Sequence, residues 1–149
     1  MADKLQLELV SPEKLLLSQS VGMVVVPGSE GNFGVLPGHA LFISTVRPGI
    51  IDVYEDKAVT ERIFVSGGFA EVTPERCTVL ADEALPVSSL DRAAVETQAK
   101  TQESVVAGLR EQAQRLSGAE RDDALLKLRA AERQLSVATA KLAAIGAAH

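Results

Sequence analysis

The chain has 149 residues, of which 46% are apolar and 23% are charged, and its formal net charge is −5 at pH 7. This size and composition are typical of a globular protein with one domain or with a small domain and an appendage. The acidic balance argues against nucleic-acid binding, and no apolar run approaches the ~18 residues of a membrane-spanning helix.

The N-terminus and the cysteine content bound the compartment. Residues 1–4, Met-Ala-Asp-Lys, lack the cationic start and apolar core of a signal peptide. The single cysteine, Cys77, excludes an internal disulfide and a cysteine metal cluster, and we expect it to be a buried free thiol. We therefore expect a cytosolic protein, or one that is held on a membrane complex by other proteins.

The first half of the chain shows the two-residue period of half-buried β-strands. Leu5, Leu7 and Leu9 alternate with Gln6 and Glu8. Further short apolar segments follow, and turn-forming residues separate them at intervals of roughly 8–12 residues. These predicted strands are residues 14–17, 21–26, 41–46, 49–55, 58–66, 69–73 and 77–81. The spacing predicts a β-sandwich, or flattened barrel, of about ten short strands over residues 1–87.

Residues 28–49 are rich in turn-forming residues, with five glycines and two prolines around two short apolar runs. We expect Ser29, Glu30 and Asn32 to lie in a polar loop tip. We expect the apolar residues of the segment to be buried, namely Val35, Leu36, Leu41, Phe42 and Ile43.

The second half shows a helical period. Residues 88–91, Ser-Ser-Leu-Asp, have the spacing of a capping box at a helix N-terminus. Apolar and small residues then recur at steps of three and four, and Ser117 and Gly118 interrupt the pattern. Two helices of about 27 residues with so short a connection predict an antiparallel hairpin over residues 88–149. The predicted fold class is therefore α+β.

Charge divides in the same way as the pattern. Residues 1–87 carry 12 acidic and 6 basic side chains, whereas residues 88–149 carry 8 acidic and 9 basic side chains. The acidic first half is suited to a partner that presents basic loops.

No standard catalytic motif accompanies this pattern. The glycines at 28, 31 and 34 lack the lysine and the following helix of a phosphate loop. His39 has no second histidine or cysteine at ligand spacing, and no nucleophile-elbow motif. We therefore expect a protein without an active site, metal or cofactor of its own. A small hydrolase built around His39 is the alternative, and replacement of His39 by Ala would then abolish turnover.

Three segments carry a family resemblance. Residues 33–40, Phe-Gly-Val-Leu-Pro-Gly-His-Ala, followed by Arg-Pro-Gly at 47–49, closely resemble the epsilon subunit of bacterial F-type ATP synthases. Residues 64–72 and 78–84 look like two further signature segments of that family, in its order and spacing. Together with the length and the terminal hairpin, the resemblance covers nearly the whole chain.

The resemblance implies a non-catalytic subunit of the central rotor stalk, which couples proton flow through the c-ring to rotation and ATP synthesis. It implies that the β-sandwich packs on the gamma subunit and on the polar loops of the c-ring. The implied location is peripheral, at the cytoplasmic face of the bacterial plasma (inner) membrane. The implied contact residues are Ser29, Glu30, Gly31, Asn32 and His39. Many bacterial relatives carry an acid at the position of Asn32, so one ion pair is expected to be lost here.

For the hairpin, the resemblance implies an arm that folds against the sandwich or extends along gamma to the catalytic alpha/beta head and blocks hydrolysis. Some relatives bind ATP through a Leu/Ile-Asp-x-x-Arg-Ala motif and further arginines. Here Ala94 stands where the motif has Arg, and Val95 stands where it has Ala, so specific ATP binding is not expected. The remaining candidates for such a site are Asp91, Arg92, Arg129 and Arg133. A stand-alone nucleotide-sensing module of sandwich and hairpin is the alternative function.

Overall fold

The computed structural model describes residues 4–12 and 15–147. The predicted strand 14–17 begins outside these residues, and the two ends of the chain also lie outside them. Within the described residues the chain forms ten strands, one 3₁₀ turn and two long helices. The strands are β1 (Leu5–Val10), β2 (Leu15–Val21), β3 (Met23–Gly28), β4 (Gly31–Val35), β5 (Phe42–Val46), β6 (Gly49–Glu55), β7 (Ala58–Val65), β8 (Gly68–Val72), β9 (Arg76–Ala81) and β10 (Ala84–Pro86). The helices are α1 (Arg92–Arg115) and α2 (Gly118–Ala147), and the 3₁₀ turn is Val87–Ser89.

The predicted α+β class, with a sandwich followed by a helical hairpin, is confirmed. The hydrogen-bonded order of the strands is β10-β7-β6-β3-β5-β8-β9-β1-β2, and β4 pairs with β3. β3 and β5 are joined only at Gly28 and Val46. The sheet divides at this single bridge into two layers, β10-β7-β6-β3-β4 and β5-β8-β9-β1-β2. The two layers enclose a common core. The chain divides into one compact unit that ends at Leu90 and a second from Asp91 to Ala147.

The alternation in β1 produces the core as predicted. Leu5, Leu7 and Leu9 are at most 1% exposed, whereas Gln6 and Glu8 are half-buried. β1 pairs antiparallel with β2 and parallel with β9, so it lies inside its layer. The strands around it contribute further fully buried residues: Val21, Val24, Val26, Val35, Ile51, Val53, Val65, Val72, Cys77 and Val79.

The segment that follows β3 differs from the prediction in two ways. Gly31 and Asn32 belong to β4 and pair with β3, so the turn itself consists of Ser29 and Glu30 only. Of the apolar residues expected to be buried, Val35 alone is buried. The other four are exposed, namely Leu36, Leu41, Phe42 and Ile43. Leu36 and Leu41 lie between strands, and Ile43 lies on the outer face of β5.

The predicted capping box is wrong in its residues. Ser88 and Ser89 lie in the 3₁₀ turn, where the Ser89 hydroxyl donates to the Pro86 carbonyl oxygen at 2.8 Å. Asp91 caps α1 instead, and its Oδ1 accepts from the Ala93 N–H at 3.0 Å. A side-chain oxygen is needed only one residue before the first helical residue, and Asp91 supplies it.

The two helices pack through a narrow stripe of small and branched side chains. Val106, Leu128 and Ala131 form its central cluster. Arg110 Nη2 lies 3.3 Å from Glu132 Oε2 and joins the helices across their surface. Arg110 of α1 therefore lies level with Glu132 of α2.

Candidate functional site

The tip of the β3–β4 hairpin is built on close backbone packing. Gly28 pairs with Gly31 across the turn and with Val46 of β5. A Cβ atom on Gly28 would lie 2.7 Å from the Gly31 carbonyl oxygen and 2.9 Å from the Phe33 ring. Only glycine fits at this point, which explains part of the unusual glycine content of the segment.

Hydrogen bonds fasten the tip to the end of β5. The Ser29 N–H donates to the Thr45 carbonyl oxygen at 3.0 Å, and the hydroxyl groups of these two residues are also in contact. The Arg47 N–H donates to the Pro27 carbonyl oxygen at 2.9 Å. The turn is therefore held in place from both of its sides.

The Arg47 guanidinium completes this attachment. Nη2 donates to Asn32 Oδ1 at 2.6 Å, and Nη1 donates to the Gly28 carbonyl oxygen. Sequence reasoning assigned no role to this residue. The sequence could have indicated a role, because Arg47 is the only charged residue (Asp, Glu, Lys or Arg) between Glu30 and Asp52.

A cleft of about 430 Å³ lies between the hairpin tip and β5. Four of the five predicted contact residues line it, so the structure brings Ser29, Glu30, Gly31 and Asn32 together. Phe33 and Phe42 also line it, and their rings make an edge-to-face contact with centroids 5.1 Å apart. The remaining lining residues are Ile43, Ser44 and Thr45. The cleft thus has polar groups at its tip and aromatic groups beside them.

His39 lies beside this cleft and does not line it. Its backbone N–H donates to the Leu36 carbonyl oxygen at 3.1 Å and closes a Pro37–Gly38 turn, in which Gly38 has φ +85°. Its Nδ1 donates to the Ala40 carbonyl oxygen at 2.9 Å, and its ring centroid lies 6.2 Å from that of Phe42. Neither contact supplies a nucleophile or an orienting acid, so His39 has the surroundings of a turn residue.

The outer face of the β5-β8-β9-β1-β2 layer carries an apolar row that sequence reasoning missed. Phe69 pairs with Leu80, Leu80 with Val10, and Val10 with Leu15. Phe69 is 58% exposed and Leu80 is 47% exposed. Ile43, on the same face of β5, is 72% exposed. We call Leu15, Val10, Leu80 and Phe69 the apolar row.

The candidate nucleotide residues are not brought together. Asp91 and Arg92 lie at the start of α1, and the Asp91 carboxylate accepts the helix N–H groups. Arg129 and Arg133 lie near Glu132, which is level with Arg110. Arg110 is 18 residues from Arg92 along α1. The pair Asp91 and Arg92 therefore lies about 27 Å from the pair Arg129 and Arg133 along the helical hairpin. The hairpin does not form one site from these four residues.

Two further features bound the chemistry of the described residues. They contain no group of three His, Cys, Asp or Glu side chains that could hold a metal ion. No helix among residues 4–12 and 15–147 is both long and apolar enough to cross a membrane.

Comparisons with known proteins agree on one family. The family model for the beta-sandwich domain of the ATP synthase delta/epsilon chain matches residues 4–87. The ATP synthase epsilon chain of Rhodospirillum centenum is 68% identical over 103 residues, which cover 66% of this chain and 70% of that protein. The epsilon chain of Parvibaculum lavamentivorans is 49% identical over 129 residues, which cover 87% of this chain and 98% of that protein.

A solved structure shows the same fold. One chain of the Euglena gracilis mitochondrial ATP synthase, determined by cryo-EM as an assembly of OSCP, F1 and c-ring, has a TM-score of 0.67. The match covers 97% of this chain and 83% of that chain at 22% identity. The sandwich and the helical hairpin thus occur together in both. On the matched sandwich domain and the two identities, this chain belongs to the family of epsilon chains of bacterial F-type ATP synthases.

Proposed function

We propose that this chain is a non-catalytic subunit of the central rotor stalk of a proton-translocating F-type ATP synthase. In this role it helps to couple proton flow through the c-ring to rotation and ATP synthesis. Its place would be peripheral, at the cytoplasmic face of the bacterial plasma membrane. Two observations support the proposal. The chain belongs to the epsilon family, and its described residues present exposed surfaces of the kind that partners cover. A catalytic site would instead need reactive groups that converge on one point.

The apolar row carries the proposal, and we assign it to the gamma subunit. Three of its four side chains, Leu15, Leu80 and Phe69, are exposed, and Val10 between them is half-buried. Neighbouring exposed apolar side chains of this kind mark a surface that another protein covers. The ion pair between Arg76 Nε and Glu8 Oε1, at 3.0 Å, lies on the same face. An apolar centre with charged groups near it is the usual composition of a protein interface.

The hairpin tip and its cleft are assigned to the polar loops of the c-ring. Ser29, Glu30, Gly31 and Asn32 line the cleft, and His39 shapes the adjacent turn. Glu30 is exposed and can accept from a basic group of a ring loop. A pair of this exposure contributes ~0–1 kcal/mol, so the fixed shape of the tip matters more than this one charge.

Replacement of the apolar row tests the proposed gamma contact. The double variant Phe69→Ser, Leu80→Ser should reduce co-purification with gamma by about tenfold or more, because each buried side chain contributes ~1.5–3 kcal/mol. The measurement is the amount of gamma recovered with the tagged chain from detergent-solubilised membranes. Both side chains are exposed, so the melting temperature should stay close to that of the wild type.

Leu126→Ser is the matched control, since Leu126 is also exposed but lies in α2. It should leave the recovery of gamma unchanged. A wild-type chain that fails to retain gamma would overturn the proposed function. Equal recovery with the double variant would overturn the assignment of the apolar row.

A further inference from the structure

The helix α1 has its weakest sequence at its centre. Residues 101–108 are Thr-Gln-Glu-Ser-Val-Val-Ala-Gly, and five of these eight residues are of types with low helix propensity. A Thr, Ser or Val is up to about threefold less favourable in a helix than alanine, and glycine is about fourfold to fivefold less favourable. Residues 109–115, which end α1, are all strong helix formers. The weak segment is therefore internal to the helix.

Among the described residues, nothing requires glycine at position 108. Gly108 is exposed, and a Cβ atom there would meet no neighbouring atom within 4 Å. Its backbone is helical, with no positive φ. Gly28 differs, since a Cβ atom on that residue would lie 2.7 Å from a carbonyl oxygen. Alanine would fit at position 108 without strain, so glycine weakens α1 there without a gain in packing.

The helix that packs on this weak segment has the opposite composition. Residues 124–135 of α2 are Ala-Leu-Leu-Lys-Leu-Arg-Ala-Ala-Glu-Arg-Gln-Leu, and all twelve are strong helix formers. Val106 of the weak segment packs in one cluster with Leu128 and Ala131. Every α2 member of this cluster lies within residues 124–135. α2 thus presents an unbroken strong helix to the part of α1 that depends most on support.

We propose that the centre of α1 is folded only while α2 covers it, so that the helical hairpin is an order–disorder switch. When the helices separate, residues 101–108 lose their packing and unfold. The parts of α1 that remain, 92–100 and 109–115, are shorter than the ~12–15 residues at which an isolated helix becomes stable. α2 keeps part of its helix because its run of strong helix formers is unbroken. The switch belongs to these two helices alone, so it does not depend on the proposed function.

A full-length chain in which the helices are forced apart tests the switch. Leu128→Glu together with Ala131→Glu places two charges in the buried stripe, and glutamate preserves the helix propensity of α2. The ¹³Cα chemical shifts of the purified chain measure helix residue by residue. In this opened chain, residues 124–135 should keep a helical shift at least about threefold larger than that of residues 101–108. In the wild type, both segments should show full helical shifts.

Restored propensity at exposed positions separates the composition of α1 from its packing. Ser104→Ala with Gly108→Ala, added to the opened chain, should raise the helical shift of residues 101–108 by about threefold or more. Both positions are exposed, so these changes repair no contact with α2. Gly146→Ala is the matched control, because Gly146 is also an exposed helical glycine with no atom near its Cβ position. It should leave residues 101–108 unchanged.

Three results would overturn the inference. Equal helical shifts in the two segments of the opened chain, whether retained or lost, would show that α1 and α2 fold alike. A shift of residues 101–108 that the two alanines fail to raise would show that composition does not decide the folding of this segment. An equal rise with Gly146→Ala would show that the effect is not local to the centre of α1. Each of these results would leave the proposed role in the rotor stalk standing.

Discussion

Cys77 shows how the sandwich treats a reactive side chain. The thiol lies in β9 with no exposed surface, and burial raises its pKa from 9.0 to about 12. A thiolate is the reactive form, so this cysteine is chemically silent in the folded protein at neutral pH. The prediction of a buried free thiol is confirmed.

This pKa gives the stability of the sandwich a pH dependence at its alkaline end. In the unfolded chain the thiol loses its proton near pH 9, whereas in the folded chain it does so near pH 12. Because the unfolded state then binds fewer protons, stability falls as the pH rises through this window. The difference in unfolding free energy between wild type and Cys77→Ala should therefore narrow above pH 9, in urea titrations at several pH values. A constant difference up to pH 12 would contradict it.

At the scale of elements, the helical hairpin packs mainly through small side chains and few large ones. Its central cluster consists of Val106, Leu128 and Ala131, and much of the remaining contact is made by alanine. Long helices depend on packing more than on intrinsic propensity. The stability of α1 and α2 therefore depends strongly on a few large side chains.

Two neighbouring leucines in α2 test this dependence. Leu128 is 9% exposed and Leu126 is 64% exposed. Leu128→Ala should cost the hairpin about 2–4 kcal/mol because it leaves a cavity between the helices, whereas Leu126→Ala should change it by less than ~0.5 kcal/mol. The loss of helical circular dichroism with temperature measures both. Equal melting of the two variants would show that the packing of Leu128 does not hold the helices together.

The strands and helices were predictable where one physical rule decided them. The alternation of Leu5, Leu7 and Leu9 with polar residues predicts a strand with one face against the core and one face toward solvent. β1 has these two faces. The rule failed for Ile43, which is exposed on β5, because hydrophobicity alone does not distinguish an apolar side chain in the core from one on the surface. The hydrogen bonds of Arg47 were also beyond prediction, since they depend on three segments that meet only after folding.

At the scale of the whole molecule, the proposed docking surfaces and the helical hairpin lie in different compact units. The apolar row and the hairpin tip belong to the unit that ends at Leu90, and the two long helices begin after it. Each unit has its own hydrophobic cluster. A chain that ends at Leu90 would therefore keep every residue of the two proposed docking surfaces.

Removal of residues 91–149 tests, within the assembled enzyme, whether the helical hairpin blocks hydrolysis as the family resemblance implies. Hydrolysis of ATP by membranes should rise by about fivefold, the lower end of typical regulatory coupling. Recovery of gamma with the truncated chain should be unchanged, which serves as the control for assembly. Unchanged hydrolysis in a fully assembled complex would show that the hairpin is not the brake.

The parallel pairing of β1 with β9 has a consequence for synthesis of the chain. Leu9 of β1 meets Val79 of β9 about 70 residues later. Closing so long a loop costs conformational entropy before the layer can form, and this cost grows only slowly with loop length. While the ribosome makes the chain, β1 must therefore wait, with β2 as its sole partner in the layer, until Ala81 has left the exit tunnel. During that interval the future core leucines are exposed to solvent, so the nascent chain is most vulnerable to aggregation just before its sandwich is complete.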